Sequence, residues 1–298
     1  EIINKYIDES FIWYSLGYIF YYYGNDIRFS EKFNVQFIDE FNEWFKKFNI
    51  ELNKRVSIRF FQNSAKKGNR WAQYILGIIY YTGNITPRDV DKAIFYLKKA
   101  SKQNLSRAQY FLGSIYYYDE FIIIDKKISK ALKYLTLSAN NYNSNAEYLL
   151  GRIYYEGIHV KRDVDKAFEY LKHSSSNNNS DADYFLGTIY FNGLYINKDI
   201  KKVIFYLDHA AQLNHSNAQY FLGELYYYGK YIQQDITKAI EYLICSAKNE
   251  NKDAQYLLGQ IYYIGKYVQR DFKKAINYFI ALSNVNNEKA KNYLGIIY

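Results

Sequence analysis

The stretch 218–247, AQYFLGELYYYGKYIQQDITKAIEYLICSA, decides the fold. In its first half, small and large apolar residues fall three and four positions apart, which is helical periodicity. Gly223 sits inside that helix, and Gly229 ends it as a C-terminal cap. Asp235 then stands where a second helix needs an N-cap. Ala239, Tyr242 and Leu243 give that second helix a buried stripe. The segment reads as two helices joined by a short loop, here called helix A and helix B.

The same stretch recurs outward in both directions. Leu-Gly occurs at Gly17, Gly77, Gly113, Gly151, Gly187, Gly223, Gly259 and Gly295, and from Gly77 the steps are 36, 38, 36, 36, 36 and 36 residues. Ala stands five positions before these glycines, from Ala72 to Ala290. Tyr stands three after, from Tyr80 to Tyr298. A second glycine stands six after at Gly83, Gly157, Gly193, Gly229 and Gly265, with Asp119 the exception. Glycine inside a helix costs about 1 kcal/mol relative to alanine, so its recurrence implies that a neighbouring helix approaches closely there. Asp89, Asp163, Asp199, Asp235 and Asp271 are the expected N-caps of helix B. Gly68, Asn104, Asn178, Asn214 and Asn286 are expected where helix B turns back, because Gly and Asn tolerate a left-handed backbone.

A lone helix pair cannot bury its apolar face, so the pairs must stack. The expected architecture is an all-α, right-handed superhelical solenoid of antiparallel helix pairs. Full repeats are placed at 69–104, 105–142, 143–178, 179–214, 215–250 and 251–286, with a truncated helix A at 287–298. Residues 1–68 form a divergent N-terminal repeat. The step from Gly17 to Gly77 is 60 residues, and the extra segment carries Phe29, Phe33, Phe37, Phe41, Phe45 and Phe48. That spacing predicts an inserted amphipathic, aromatic-rich helix over about 29–49. It either decorates the end of the array or meets a partner. The two-residue insertion in the 38-residue step belongs most simply in the loop Asp119–Lys127.

The string Ala-x-x-x-Leu-Gly-x-x-Tyr-x-x-Gly, then Asp, then Lys-Ala-x-x-Tyr, resembles the Sel-1-like repeat family, over 51–298 well and 10–24 loosely. Tetratricopeptide repeats usually run 34 residues and lack this combination. The resemblance implies the right-handed superhelix, with helix A on its concave side. It also implies adaptor roles in signalling, in quality control at the endoplasmic reticulum and in host–microbe contact.

Composition bounds the rest. Hydrophobic residues make up 49% of the 298 positions, enough for a core and too many for intrinsic disorder. The single proline argues against Pro-rich linkers. Cys245 is the only cysteine, so no internal disulfide forms, and a reducing, cytoplasmic setting is favoured. The lumen of the endoplasmic reticulum stays open, because the chain starts at Glu1 without Met and reads as a fragment. The apolar run Phe11 to Tyr23 is too short to span a bilayer.

No constellation points to catalysis, a cofactor or a metal. His173 and His209 are repeat-equivalent, and helices pack about 8–10 Å apart, poor placement for sharing a metal at about 2 Å. His159 and His215 stand elsewhere. Cys245 is expected to be a small buried residue of helix B. The recurrent glycines fall within and at the end of a helix, not between strand and helix, so they are not a phosphate loop. Lys92, Lys130, Lys166, Lys202, Lys238 and Lys274 form a stripe of positive charge, read as a solvated ridge or as a strip for an acidic or phosphate-bearing partner. The four sequons at Asn84, Asn104, Asn178 and Asn214 weigh little in a chain so rich in Asn and Ser.

In a repeat protein the variable columns are the candidates for binding. The positions six before and one after the Leu-Gly glycine share one face of helix A. Among them are Trp71, Arg107, Asn145, Arg152, Asp181, Thr188, Asn217, Glu224, Asp253 and Gln260. The position four before adds Gln73, Gln109, Glu147, Asp183, Gln219 and Gln255. Tyr74, Tyr110, Tyr148, Tyr184, Tyr220 and Tyr256 are read as core. The expected function is a non-catalytic scaffold or adaptor that binds other proteins or peptides. RNA binding is the rival, since some helical repeats read one base per repeat and the net charge is +9. Dispersed lysines and the acidic variable residues disfavour nucleic acid. A third reading is a targeting arm of a larger protein.

Overall fold

A computed structural model describes residues 54–119, 127–283 and 288–297, together with Tyr14 and Tyr18. Gly17, the expected 29–49 helix, loop residues 120–126, Asn286 and Tyr298 lie outside the described residues. The described residues are all-helical, without strands, and consecutive helices pack as pairs. The chain divides into two compact units, Glu1–Ala146 and Glu147–Tyr298.

The first unit contains α1 (Lys54–Lys66), α2 (Arg70–Thr82), α3 (Val90–Lys102), α4 (Ser106–Tyr118) and α5 (Lys127–Asn140), and α6 (Ser144–Glu156) begins at its end. The second contains α7 (Val164–Ser176), α8 (Ser180–Asn192), α9 (Ile200–Gln212), α10 (Ser216–Tyr228), α11 (Ile236–Lys248), α12 (Lys252–Ile264), α13 (Phe272–Ser283) and α14 (Glu288–Ile297). Even-numbered helices are A, odd-numbered ones B. The pairs are antiparallel: Gly83 meets Arg88, Tyr80 meets Tyr96, and Gly77 meets Leu97, so rising numbers on α2 meet falling numbers on α3.

The Leu-Gly glycine makes that approach possible. A Cβ on Gly77 would lie 2.5 Å from Leu97 Cγ, and one on Gly223 would lie 2.6 Å from Leu243 Cγ. Around this contact the Ala and Leu columns close the core: Ala72, Leu76, Ala93 and Leu97 are fully buried in the first unit, as are Ala218, Leu222, Ala239 and Leu243 in the second.

A second contact ties every described A–B pair. The helix A tyrosine three after the glycine stacks on the helix B tyrosine, as Tyr80 on Tyr96 or Tyr226 on Tyr242. Centroid distances run from 5.8 to 6.3 Å and ring planes tilt by 3 to 9°. The lysine of the stripe covers the helix A ring, with Nζ 4.2 to 5.7 Å from the centroid. Lys92, Lys202, Lys238 and Lys274 also pair with the Asp that caps their own helix.

The caps form as the sequence predicts. Asp89, Asp163, Asp199, Asp235 and Asp271 each accept from the backbone N–H three residues on, at 2.9 to 3.1 Å. Gly229 has φ 63° and its N–H bonds Leu225 O. At the exception, Asp119, the backbone is extended instead, with φ −75°, and the buried carboxylate pairs with Arg88. Asn104, Asn178 and Asn214 take positive φ where helix B turns back. Tyr142 and Glu250 do so too, at 56° and 60°, without the residue type that favours it.

Cys245 corrects the expectation made for it. It is exposed, and the neighbouring Ser246 holds the buried position, its hydroxyl donating to Ser216 O at 2.7 Å. The stripe of α11 runs Ala239, Leu243, Ser246, spacings of four and three that leave Cys245 to one side.

Candidate partner-binding face

The candidate columns divide into two kinds. The position four before the glycine is not a surface. Gln73, Gln109, Glu147, Asp183 and Gln219 are buried. Gln73 Nε2 donates to Ala65 O at the end of the preceding helix B, and its Oε1 accepts from Gln103 Nε2 at the end of the following one, at 2.9 Å. Gln109 does the same between Ser101 O and Asn141, and Gln219 between Ala211 O and Asn249. Gln73, Gln109 and Glu147 are therefore corrected from face to frame, as are Asp183 and Gln219 of the same column: Gln73, Gln109 and Gln219 each sit in a socket joining three helices, and Glu147 bonds the end of the following helix B. A buried amide needs partners, and the free ends of helix B supply them.

Acidic residues fill this socket differently. Glu147 accepts from Asn177 Nδ2 at 3.3 Å, and burial pushes its carboxyl above the ordinary range. Asp183, fully buried, has no such amide, because Leu213 occupies the place held by Asn177 and Asn249 in neighbouring repeats. His209, one helical turn earlier, replaces it: its Nδ1 lies 2.8 Å from Asp183 Oδ2, and Ser175 Oγ donates to Oδ1 at 2.5 Å. Burial dominates and raises the Asp183 carboxyl, while the serine and histidine oppose it.

The other two columns do reach solvent. Arg107, Asn145, Asp181, Asn217 and Asp253 are exposed, and Trp71, Arg152, Thr188, Glu224 and Gln260 are half-buried. In the first unit Arg107 lies over the Trp71 ring at 5.7 Å, making an aromatic and basic spot. In the second, Arg152 pairs with Glu156 and covers Tyr148 and Phe185. Asp181 lies 3.3 Å from His215 Nε2, a contact that lowers its carboxyl. His215 Nδ1 caps α10 through Ala218 N, and its ring stacks on Tyr184. Asn217 accepts from Asn251, Gln260 donates to Tyr256 and Tyr293, and Thr188 bonds its own helix at Phe185 O. Glu224 accepts from the Tyr220 hydroxyl, and burial together with Asp253 raises its carboxyl. The framework tyrosines, such as Tyr74 and Tyr220, are half-buried and pack on the core clusters. Among the described residues no group of three or more His, Cys, Asp or Glu is placed to hold a metal ion, and no helix is long and apolar enough to cross a membrane.

Helix pairs of near-constant length, each locked by one stacked tyrosine pair and by one glycine that meets a leucine or, at Gly259, Phe279, define an α-helical repeat protein. The family model of the Sel1 repeat matches residues 72–105, 106–143, 144–179, 180–215, 216–251 and 252–284, and the chain belongs to the Sel1 repeat family. Repeats of this family commonly mediate protein–protein interaction and are generally non-catalytic. Among solved structures, the chain is similar to a Sel1 repeat protein from Oxalobacter formigenes, with 24% identity over 97% of this chain and 86% of that one and a TM-score of 0.74. It is similar also to a protective antigen of uropathogenic Escherichia coli with an SLR fold, with 25% identity, 90% of this chain covered and a TM-score of 0.69. The chain spans 60% of that antigen's length. No curated protein matches the sequence.

Proposed function

We propose that the chain is a non-catalytic protein-binding scaffold that meets its partners on the helix A faces, through the positions six before and one after each Leu-Gly glycine. One observation carries the reading. The framework columns spend their polar groups and rings on each other, whereas these two columns present different chemistry in each repeat. The lysine stripe, read as a solvated ridge or as a strip for an acidic or phosphate-bearing partner, lies over tyrosine faces, and Lys92, Lys202, Lys238 and Lys274 pair with Asp caps. The residues left outward include Asp181, Glu224 and Asp253, which repel a phosphate backbone.

Photo-crosslinking tests the proposal. A crosslinking amino acid at position 217 or 253, on helix A, is expected to trap partner adducts, and one at position 205, on the outer face of α9, is not. Paired charge reversals, Arg152→Glu and Glu224→Arg, are expected to change the trapped set. Equal adducts from all three positions, or a set indifferent to both reversals, would show that partners do not use this face.

A further inference from the structure

A pocket of about 190 Å³ opens on the second unit between α8 and α10. It is smaller than the roughly 300 Å³ at which small-molecule sites begin, and it suits a single long side chain. Phe191 and Phe221 meet edge to face at 4.9 Å and 81°, and Phe191 meets Tyr231 at 5.2 Å and 85°. Tyr228, 60% exposed, forms part of the rim. Glu224 supplies the carboxylate of this lining, and Lys230 lines it too. Among the described residues no lysine or arginine lies within ion-pairing distance of Glu224; its partner is the Tyr220 hydroxyl.

The rings already attract ammonium groups. Lys198 Nζ lies 4.0 Å from the Phe191 centroid and 3.9 Å from that of Tyr231, and Lys230 Nζ lies 5.3 Å from Tyr231. Cations over aromatic faces gain from the ring quadrupole, and more so when water is excluded. Here a half-buried carboxylate stands beside such faces, and its hydrogen-bond partner is a neutral hydroxyl. Asp253 and Asp181 add negative charge on the same face of this unit, within a chain of net charge +9.

We propose that this pocket captures the lysine or arginine side chain of a basic segment in a partner protein, the rings enclosing its stem and Glu224 pairing with its head. The proposal rests on the scaffold reading of the helix A face and adds the partner's chemistry to it. The chain's net positive charge is screened beyond about a Debye length of 8–10 Å, so a cationic peptide can approach, and its capture depends on the charges and rings of a local site.

The test is fluorescence anisotropy of the full chain with a labelled peptide of alternating lysine and serine, its lysine-acetylated copy and an arginine copy. Saturable binding of the lysine or arginine peptide is expected, with loss on acetylation. Glu224→Gln keeps the shape and removes the charge, so it is expected to weaken binding about tenfold or more. Tyr228→Ala, at an exposed ring, is expected to weaken it several-fold. No saturable binding, equal binding of the acetylated copy, or unchanged affinity in Glu224→Gln would overturn the proposal. Crosslinking from position 217 separates the two ideas. Adducts that persist unchanged in Glu224→Gln overturn the pocket alone, and adducts that never form overturn the scaffold.

Discussion

The socket of α4 and the socket of α8 occupy the same place in the repeat and are filled in opposite ways. In α4, Gln109 reaches a carbonyl behind and an amide ahead, and every partner is neutral. In α8, Asp183 holds a serine hydroxyl and a histidine, and its charge is buried. The comparison teaches that a repeat column is a requirement for satisfied polar atoms rather than for one residue type. When Leu213 removes the amide, a histidine one turn away restores the count. The neutral filling is indifferent to pH, and the ionic one is not.

The frame common to both sockets can be broken first. Gly113→Ala and Gly223→Ala each drive a Cβ to within 2.7 Å or less of a leucine Cγ. Each is expected to destabilise by about 3 kcal/mol, read as a lower denaturant midpoint, despite alanine's better helix propensity. Similar losses in the two units would show that the sockets hang on one frame, and a large inequality would break the comparison at its base.

Removing one partner sharpens the difference. His209→Ala leaves the buried carboxylate of Asp183 with Ser175 alone, and a loss of about 2 kcal/mol at neutral pH is expected. Gln103→Ala leaves Gln73 neutral and still bonded to Ala65 O, so about 1 kcal/mol is expected. Equal losses in chemical unfolding would mean that the charge in α8 carries no weight.

Acidity separates the sockets further. The Asp183 carboxyl is raised above its ordinary 3.8, so the folded chain binds the extra proton. Its contribution is therefore fully present below about pH 4 and is lost as pH rises through the folded value. His209 and His215 face it, with Tyr206 of α9 and the Ser175 hydroxyl nearby. Asp89, Asp181 and Asp271 run the other way, since their lowered carboxyls lose stabilisation as pH falls. Subtracting the Asp183→Asn midpoint from the wild-type midpoint at each pH isolates the socket. The difference should fall as pH rises from about 4, and the same subtraction for Gln109→Asn should be flat. The smallest effect concerns the turns that follow helix B. Tyr142→Gly in the first unit and Glu250→Gly in the second relieve a left-handed backbone, and each is expected to gain about 0.5–1 kcal/mol in thermal unfolding.

Much of this frame was legible in the sequence because it repeats. Gly77 and its equivalents announced a close helix approach, the Asp caps stood at a fixed offset, and Asn104, Asn178 and Asn214 marked the turns. Tyr142 and Glu250 gave no such sign, since the fold imposes their backbone. The socket residues were misread for a physical reason: Gln and Glu vary and are polar, which resembles exposure until their partners are known. A signal was present, for Gln103, Asn141, Asn177 and Asn249 form an amide column whose break at Leu213 coincides with Asp183 and His209. Cys245 was misplaced by one position on the helix. The Phe191, Phe221, Tyr231 and Glu224 pocket was not legible, because a loop and two helices assemble it from residues with separate columns.

Each socket of the second unit joins only helices that are neighbours in the chain. Gln219 answers to Ala211 and Asn249 and to nothing further away. In the currency of heredity, the unit of change is then a block of 36 residues rather than a single substitution. Excision of 216–251 would bring His215 to the start of α12 as its cap and offer the Ala211 carbonyl to Gln255, so no donor would be stranded. A lineage can therefore lengthen or shorten such an array by recombination between its own copies, and alter which outward side chains stand side by side, without rebuilding what holds them.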